Sequence, residues 1–255
     1  MKKIIPVPKL FKLFVAEFIG TALLLSIGLS FVILDWGDHS VVARLVPSVP
    51  LRRLLTGFLF GCTGCLITIS PVGKISGAHI NPAVSIAFWL RGKMKTKAMA
   101  GYIVSQLLGA IAGCIPLLLW RHQGYSVGYG KTVPGSAGVL AAYIGEVVTT
   151  VGLITLIFVF VGSKKLRDYT AYTMPFLYGF MVWAETAYSG CSTNPARSLG
   201  PAVISGDYTS YWLYIAAPIT GVLLVIGVFR LFSLHHYYHI KAARISYHDH
   251  HSPQT

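Results

Sequence analysis

A chain of 255 residues, 54% hydrophobic and only 11% charged, with a mean hydropathy of +0.64, is too apolar for a soluble domain of its length. Its net charge of +13 does not make it a nucleic-acid binder, because the Lys and Arg residues sit in short runs between apolar segments instead of covering one face. A lipid bilayer is the solvent that these proportions suit.

Taken in chain order, six stretches reach the roughly 20 apolar residues that a spanning helix needs, near 11 to 34, 51 to 70, 98 to 120, 139 to 161, 172 to 189 and 210 to 232. The first follows a basic start (Lys2, Lys3, Lys9 and Lys12), yet its apolar run is long enough to span and shows no small-residue cleavage site. It is expected to be a transmembrane helix, not a removed signal. Two shorter apolar segments, Pro82 to Leu90 and Pro195 to Ile204, are helical in pattern but cover only about half of the hydrocarbon core at 1.5 Å per residue.

The basic residues orient these spans. The N-terminal lysines share a side with Arg91, Lys93, Lys95 and Lys97 before the third span, Lys164, Lys165 and Arg167 after the fourth, and Arg230, Lys241 and Arg244 after the sixth. Arg44, Arg52, Arg53, Arg121 and Lys131 lie opposite. Both termini are therefore expected in the cytoplasm, in a plasma or inner membrane. With three spans in each half, about 10 to 120 and 139 to 232, the second half must be inverted relative to the first. The glycine-rich segment from Gly124 to Gly138 reads as the outer connection between halves. The tail from 233 to 255, rich in histidine, reads as a solvated cytoplasmic extension and not a metal site.

The four cysteines, Cys62, Cys65, Cys114 and Cys191, all fall at membrane depth, away from any outer loop that disulfides would frame. Cys62 and Cys65 form a C-x-x-C, a spacing used in redox and zinc sites, but on an apolar helix without a second pair it reads as helix packing. No metal or cofactor is expected, and no catalytic constellation appears.

The most informative feature is a repeat: SGAHINPAVS at 76 to 85 returns as SGCSTNPARS at 189 to 198. Irregular backbone at membrane depth is tolerated only where it is buried in protein or lines water, so the loops before Pro82 and Pro195 should face a cavity. Proline suits the first position of a helix, where its missing N–H would have no partner, and Asn81 and Asn194 stand at the N-caps. Two short helices begin there. In inverted halves their N-termini meet at the midplane, each carrying about half a positive charge, which makes the lumen hostile to cations.

This constellation resembles the aquaporin and glycerol-facilitator family, the major intrinsic proteins, from Leu10 to Phe232. The resemblance implies an all-α membrane protein of six transmembrane helices plus two re-entrant half-helices in an inverted repeat, a single channel domain over 1 to 232, assembled as a homotetramer in membrane lipid. It would pass water and small neutral solutes such as glycerol, urea or hydrogen peroxide, and exclude ions and protons. Small residues such as Gly109, Ala110, Ala112 and Gly113 suit close helix contact.

The same resemblance assigns roles. Asn81 and Asn194 would donate hydrogen bonds to a permeating oxygen, while carbonyls of the loops, Gly77, Ala78, His79 and Ile80 on one side and Gly190, Ser192 and Thr193 on the other, would accept. Arg197, which has only Val84 at the matching place in the first half, would form the outer constriction with Cys191, Val182 and either Phe60 or Gly61. Water-selective members often carry histidine where this chain has Val182, an argument for a wider filter, whereas Ser198 and Ala202 resemble water channels. Glu17 and Glu146 would hold the asparagine loops in shape. Glu185 lies near the outer end of the fifth span, where it could face the vestibule or pair with Arg197, and His79 is placed to line the cytoplasmic half. From another functional class, a secondary carrier could use Glu17, Glu146 or Glu185 as intramembrane proton sites. A membrane protein with an occluded pore is a third alternative.

Overall fold

The computed structural model describes residues 10–232, so the histidine-rich tail lies outside the described residues, as do Lys2, Lys3, Lys9, Lys241 and Arg244. Six long helices carry the architecture: Leu10–Trp36, Val49–Ile69, Thr96–Cys114, Gly138–Gly162, Thr170–Ser189 and Leu213–Leu231, hereafter the first to sixth spans. Among the described residues, five segments are long and apolar enough to cross a bilayer, the third of them running on through short helical turns to Tyr125. The fifth span falls short in hydropathy because one face carries Tyr178, Glu185 and Thr186, which turn inward.

Two boundaries differ from the sequence expectation for local reasons. The third span tightens from α to 3₁₀ geometry over Ile115–Trp120, where Pro116 cannot supply an α-helical N–H donor. The sixth begins at Leu213, not near 210, because Ser210 adopts a left-handed φ of 56° and breaks the helix.

Pairing follows the repeat. The first span packs on the third and the fourth on the sixth, while the second and fifth join the two halves. Missing side chains allow these close approaches: a Cβ on Gly57 or Gly61 would run into the backbone at Tyr178 or at Met174 and Pro175, and one on Gly109 or Gly113 into the backbone at Phe18 or Ala22. In all these pairs, backbone stands where a side chain would go. The outer surface is apolar, with Leu66, Leu119, Leu140 and Phe176 exposed, as suits a lipid-facing wall.

The short helices Pro82–Leu90 and Pro195–Ser205 occupy the interior. Each starts with proline after an asparagine N-cap in extended conformation. The first buries Ala83, Ala87 and Phe88 against Ile154 and Phe158 of the fourth span and Val222, Ile226 and Phe229 of the sixth. Each half-helix also packs on the third span, the second one chiefly there. Substituting Gly61 with leucine should cost at least about 1–3 kcal/mol, since the backbone it meets cannot yield. Gly64→Leu, which meets nothing within 4 Å, should be tolerated. Thermal unfolding of the two detergent-purified variants compares them directly.

Candidate functional site

The two repeat loops are built alike. Left-handed φ values recur at equivalent places, Gly77 (88°), Ala78 (48°) and Ile80 (42°) in one loop and Gly190 (86°), Cys191 (53°) and Thr193 (52°) in the other. Only glycine adopts this conformation freely, and for β-branched Ile80 and Thr193 it is costly, so the surroundings must impose it.

They do so through two buried carboxylates. Glu17 accepts hydrogen bonds from the backbone N–H of His79 (3.0 Å) and Ile80 (2.7 Å), and from the Gln106 amide (2.7 Å). Glu146 accepts from the N–H of Ser192 (2.6 Å) and Thr193 (2.7 Å), and from the Ser189 hydroxyl (2.6 Å). Tyrosines complete the likeness: the Tyr102 hydroxyl donates to the Ser76 carbonyl and the Tyr214 hydroxyl to the Ser189 carbonyl, each at 2.7 Å. Ser198 adds a lateral tie, its hydroxyl lying 2.6 Å from Ser192 Oγ and 2.7 Å from Thr132 Oγ1.

The asparagines then join the loops. Asn81 Oδ1 caps its helix at the N–H of Ala83 (2.8 Å), and Asn194 Oδ1 at those of Ala196 (3.0 Å) and Arg197 (3.2 Å). Each amide donates across the seam, Asn81 Nδ2 to the Thr193 carbonyl and Asn194 Nδ2 to the Ile80 carbonyl, both at 3.0 Å. An NH₂ group has two protons, so each asparagine keeps a second donor beyond this bond.

Beside the seam is a chamber of about 290 Å³. Arg197, Cys191, Val182 and Phe60 all face it, so four of the expected constriction residues come together, with the Arg197 guanidinium carbon 5.9 Å from the Phe60 ring centre. Gly61 faces the fifth span instead, so of the two it is Phe60 that lines the chamber, alongside Thr56 and Arg53 of the same span. Ser70 interrupts the second span with an extended ψ of 165°, and one more helical turn, Pro71–Ser76, precedes the loop. That interruption is why counting back along the sequence left Phe60 and Gly61 undecided.

Other expected residues lie elsewhere. The His79 ring stacks on Phe88 (4.7 Å between centroids), meets Tyr102 edge-on and places Nδ1 3.1 Å from Ser85 Oγ. Glu185 does not pair with Arg197: its carboxyl lies over Gly145 between the fourth and fifth spans, and Thr186 reaches the chamber in its place. Arg197 Nη1 donates to the Gly130 carbonyl at 2.6 Å. The connection between halves is thus part of the wall as well as a linker. Its Lys131 also pairs with Asp207, and the hydrogen bond from that ammonium holds the Asp207 carboxyl well below the usual carboxylate range.

The sequence analysis missed Gly130, Gln106 and Tyr178. Gln106 was findable, as a lone amide in an apolar span that needs a partner. Tyr178 was findable from its place one turn before Val182. The Gly130 carbonyl was not, since its direction depends on a φ of 79° within a connection without regular periodicity.

A six-helix bundle holding two inward-pointing half-helices, capped by asparagines that bond across an inverted repeat, defines a membrane channel. The chain belongs to the major intrinsic protein family, whose sequence profile matches residues 5–229, and it is accordingly an integral membrane protein and not an enzyme. It is 32% identical over 227 residues to the probable aquaporin TIP2-2 of Oryza sativa subsp. japonica, a match covering 86% of each chain. It is 33% identical over 214 residues to Aquaporin-4 of Mus musculus, covering 82% of this chain and 63% of the relative. In fold it resembles the X-ray structure of the aquaglyceroporin from Plasmodium falciparum, with a TM-score of 0.71 and 21% identity over 89% of this chain and 100% of that one.

The bonds to Glu146 lead to a prediction. Glu146→Leu strands two backbone donors and a hydroxyl, at about 1–3 kcal/mol for each buried unsatisfied group, and should abolish stable folding. Glu146→Gln keeps one acceptor oxygen and should fall between Leu and wild type. Size-exclusion profiles and melting temperatures in detergent would show the order.

Proposed function

We propose that the protein conducts water and at least one small neutral solute passively down their gradients, and excludes ions and protons. The observation that carries this is the reciprocal seam, in which each N-cap asparagine is anchored by the opposite loop and retains a second N–H. A water oxygen accepting from both retained donors must point its hydrogens away from both helix ends. That orientation interrupts a chain of hydrogen-bonded waters at its centre, and with it a proton wire. Loop carbonyls on either side provide acceptors for the next molecules in file.

Charge exclusion has two sources that add. The half-helix N-termini each carry about half a positive charge, and Arg197 contributes a full one at 6% exposure. In so dry a place the field is screened less than it would be in water. The carrier alternative is weaker, because the backbone N–H groups and side chains that Glu17 and Glu146 already bind leave little room for a transported proton.

We further propose a homotetramer, with a pore in each chain, in a plasma or inner membrane with both termini cytoplasmic. The apolar outer wall and the distribution of basic residues support this, and light scattering and protease accessibility would test it. Stopped-flow shrinkage of proteoliposomes tests the transport function. Water should equilibrate with a low temperature dependence, and at least one of glycerol, urea and hydrogen peroxide should follow. Exclusion of all three would remove the solute half of the proposal. Arg197→Val should raise proton or cation leak while water flux persists, and an unchanged leak in correctly inserted protein would refute the charge role of that side chain.

A further inference from the structure

We propose that the size filter of this channel is not the ring at Arg197 but lies one helical turn deeper, where Tyr178 is pinned between Phe60 and Thr193. This rests on the channel function proposed above and adds the residue that decides which neutral solutes pass.

Thr186, Val182 and Tyr178 follow one another at four-residue spacing on the fifth span and all face the chamber. Each step moves about 6 Å along the helix, from Thr186 at the mouth through Val182 at the Arg197 level to Tyr178 nearer the asparagines. At the Arg197 level Arg197 itself and the near edge of Phe60 face small walls, Cys191 and a Val182 whose Cβ sits close against Gly57 of the second span. One turn deeper the fifth span presents its largest chamber-facing side chain.

That side chain is fixed on two sides. The Tyr178 hydroxyl lies 3.2 Å from Thr193 Oγ1. Thr193 spends its own hydroxyl proton on the Ser192 carbonyl at 2.7 Å, so Tyr178 must be the donor. Thr193 is itself immobile, its N–H held by Glu146 and its carbonyl by Asn81. On the other side the Tyr178 ring meets the Phe60 ring at 5.7 Å, tilted 47°. Phe60 in turn fills the place where a Cβ on Gly28 would stand, 2.7 Å from the ring. Two aromatic rings and a rigid loop therefore frame the aperture, and none of the three can rotate aside without losing a bond or a packing partner. Such a frame discriminates on cross-section, admitting water and favouring flat or slender solutes over a three-carbon polyol.

The test is the ratio of glycerol to water permeability in proteoliposomes of the full-length protein. Tyr178→Val should raise the ratio by about tenfold, Tyr178→Phe, which frees the ring without removing it, by about twofold, and Val182→Ala by less than either. Gly28→Ala, which pushes Phe60 into the aperture, should lower it. A ratio that rises more in Val182→Ala than in Tyr178→Val would overturn the proposal and return the filter to the Arg197 level. If Tyr178→Val does not insert, an unchanged ratio in both Tyr178→Phe and Gly28→Ala would equally overturn it. A wild-type protein that passes no water overturns the channel function itself, an outcome distinct from either of these.

Discussion

Backbone that is not helical cannot be left unsatisfied at membrane depth, and the rest of this structure follows from how that demand is met. Lipid offers no hydrogen-bond partner, so each donor and acceptor in the two loops must find one inside the protein or in a file of water. Glu17 and Glu146 supply the internal partners. Because both carboxylates take N–H groups, they bind donors of the loops and leave the carbonyls to other partners, among them the asparagine amides: Asn194 bonds the Ile80 carbonyl and Asn81 that of Thr193.

The same carboxylates stabilise a conformation that the sequence alone disfavours. A threonine and an isoleucine in left-handed conformation are an expense of roughly 1–3 kcal/mol each, and neither loop contains enough glycine to avoid it. The strain buys direction, because alternating the backbone hand turns successive carbonyls towards one side. In both loops the left-handed residues thus lie next to the compensating bonds to Glu17 and Glu146.

Much of this was legible in the sequence. The apolar runs, the duplicated Asn-Pro-Ala and the acidic residue in each half-repeat announce their chemistry through residue type alone, since a carboxylate or an amide in an apolar helix requires a partner. What stayed hidden depends on angles and on register. Phe60 and Gly61 differ by one position, about 100° of helix rotation, and the break at Ser70 removed the means of counting between them. Glu185 stayed open because a carboxylate near a span's end suggests a wet face, whereas glycine at 145 provides a slot for it between helices. The bond from Arg197 to Gly130 joins a side chain to a main-chain oxygen, and such oxygens carry no mark of their direction in the sequence.

The exchange of asparagine bonds across the seam also has a temporal side. Asn81 is held by the carbonyl of Thr193, and the half-helix that it caps rests on the sixth span, the last of the described helices to leave the ribosome. The first loop is therefore synthesised long before its second-half partners exist. Glu17, Gln106 and Tyr102 of the first half can already hold its left-handed residues, but until the second loop is made the Asn81 amide lacks its carbonyl partner. Closure of the pore is an assembly step between two halves of one molecule, and it waits for the last helix.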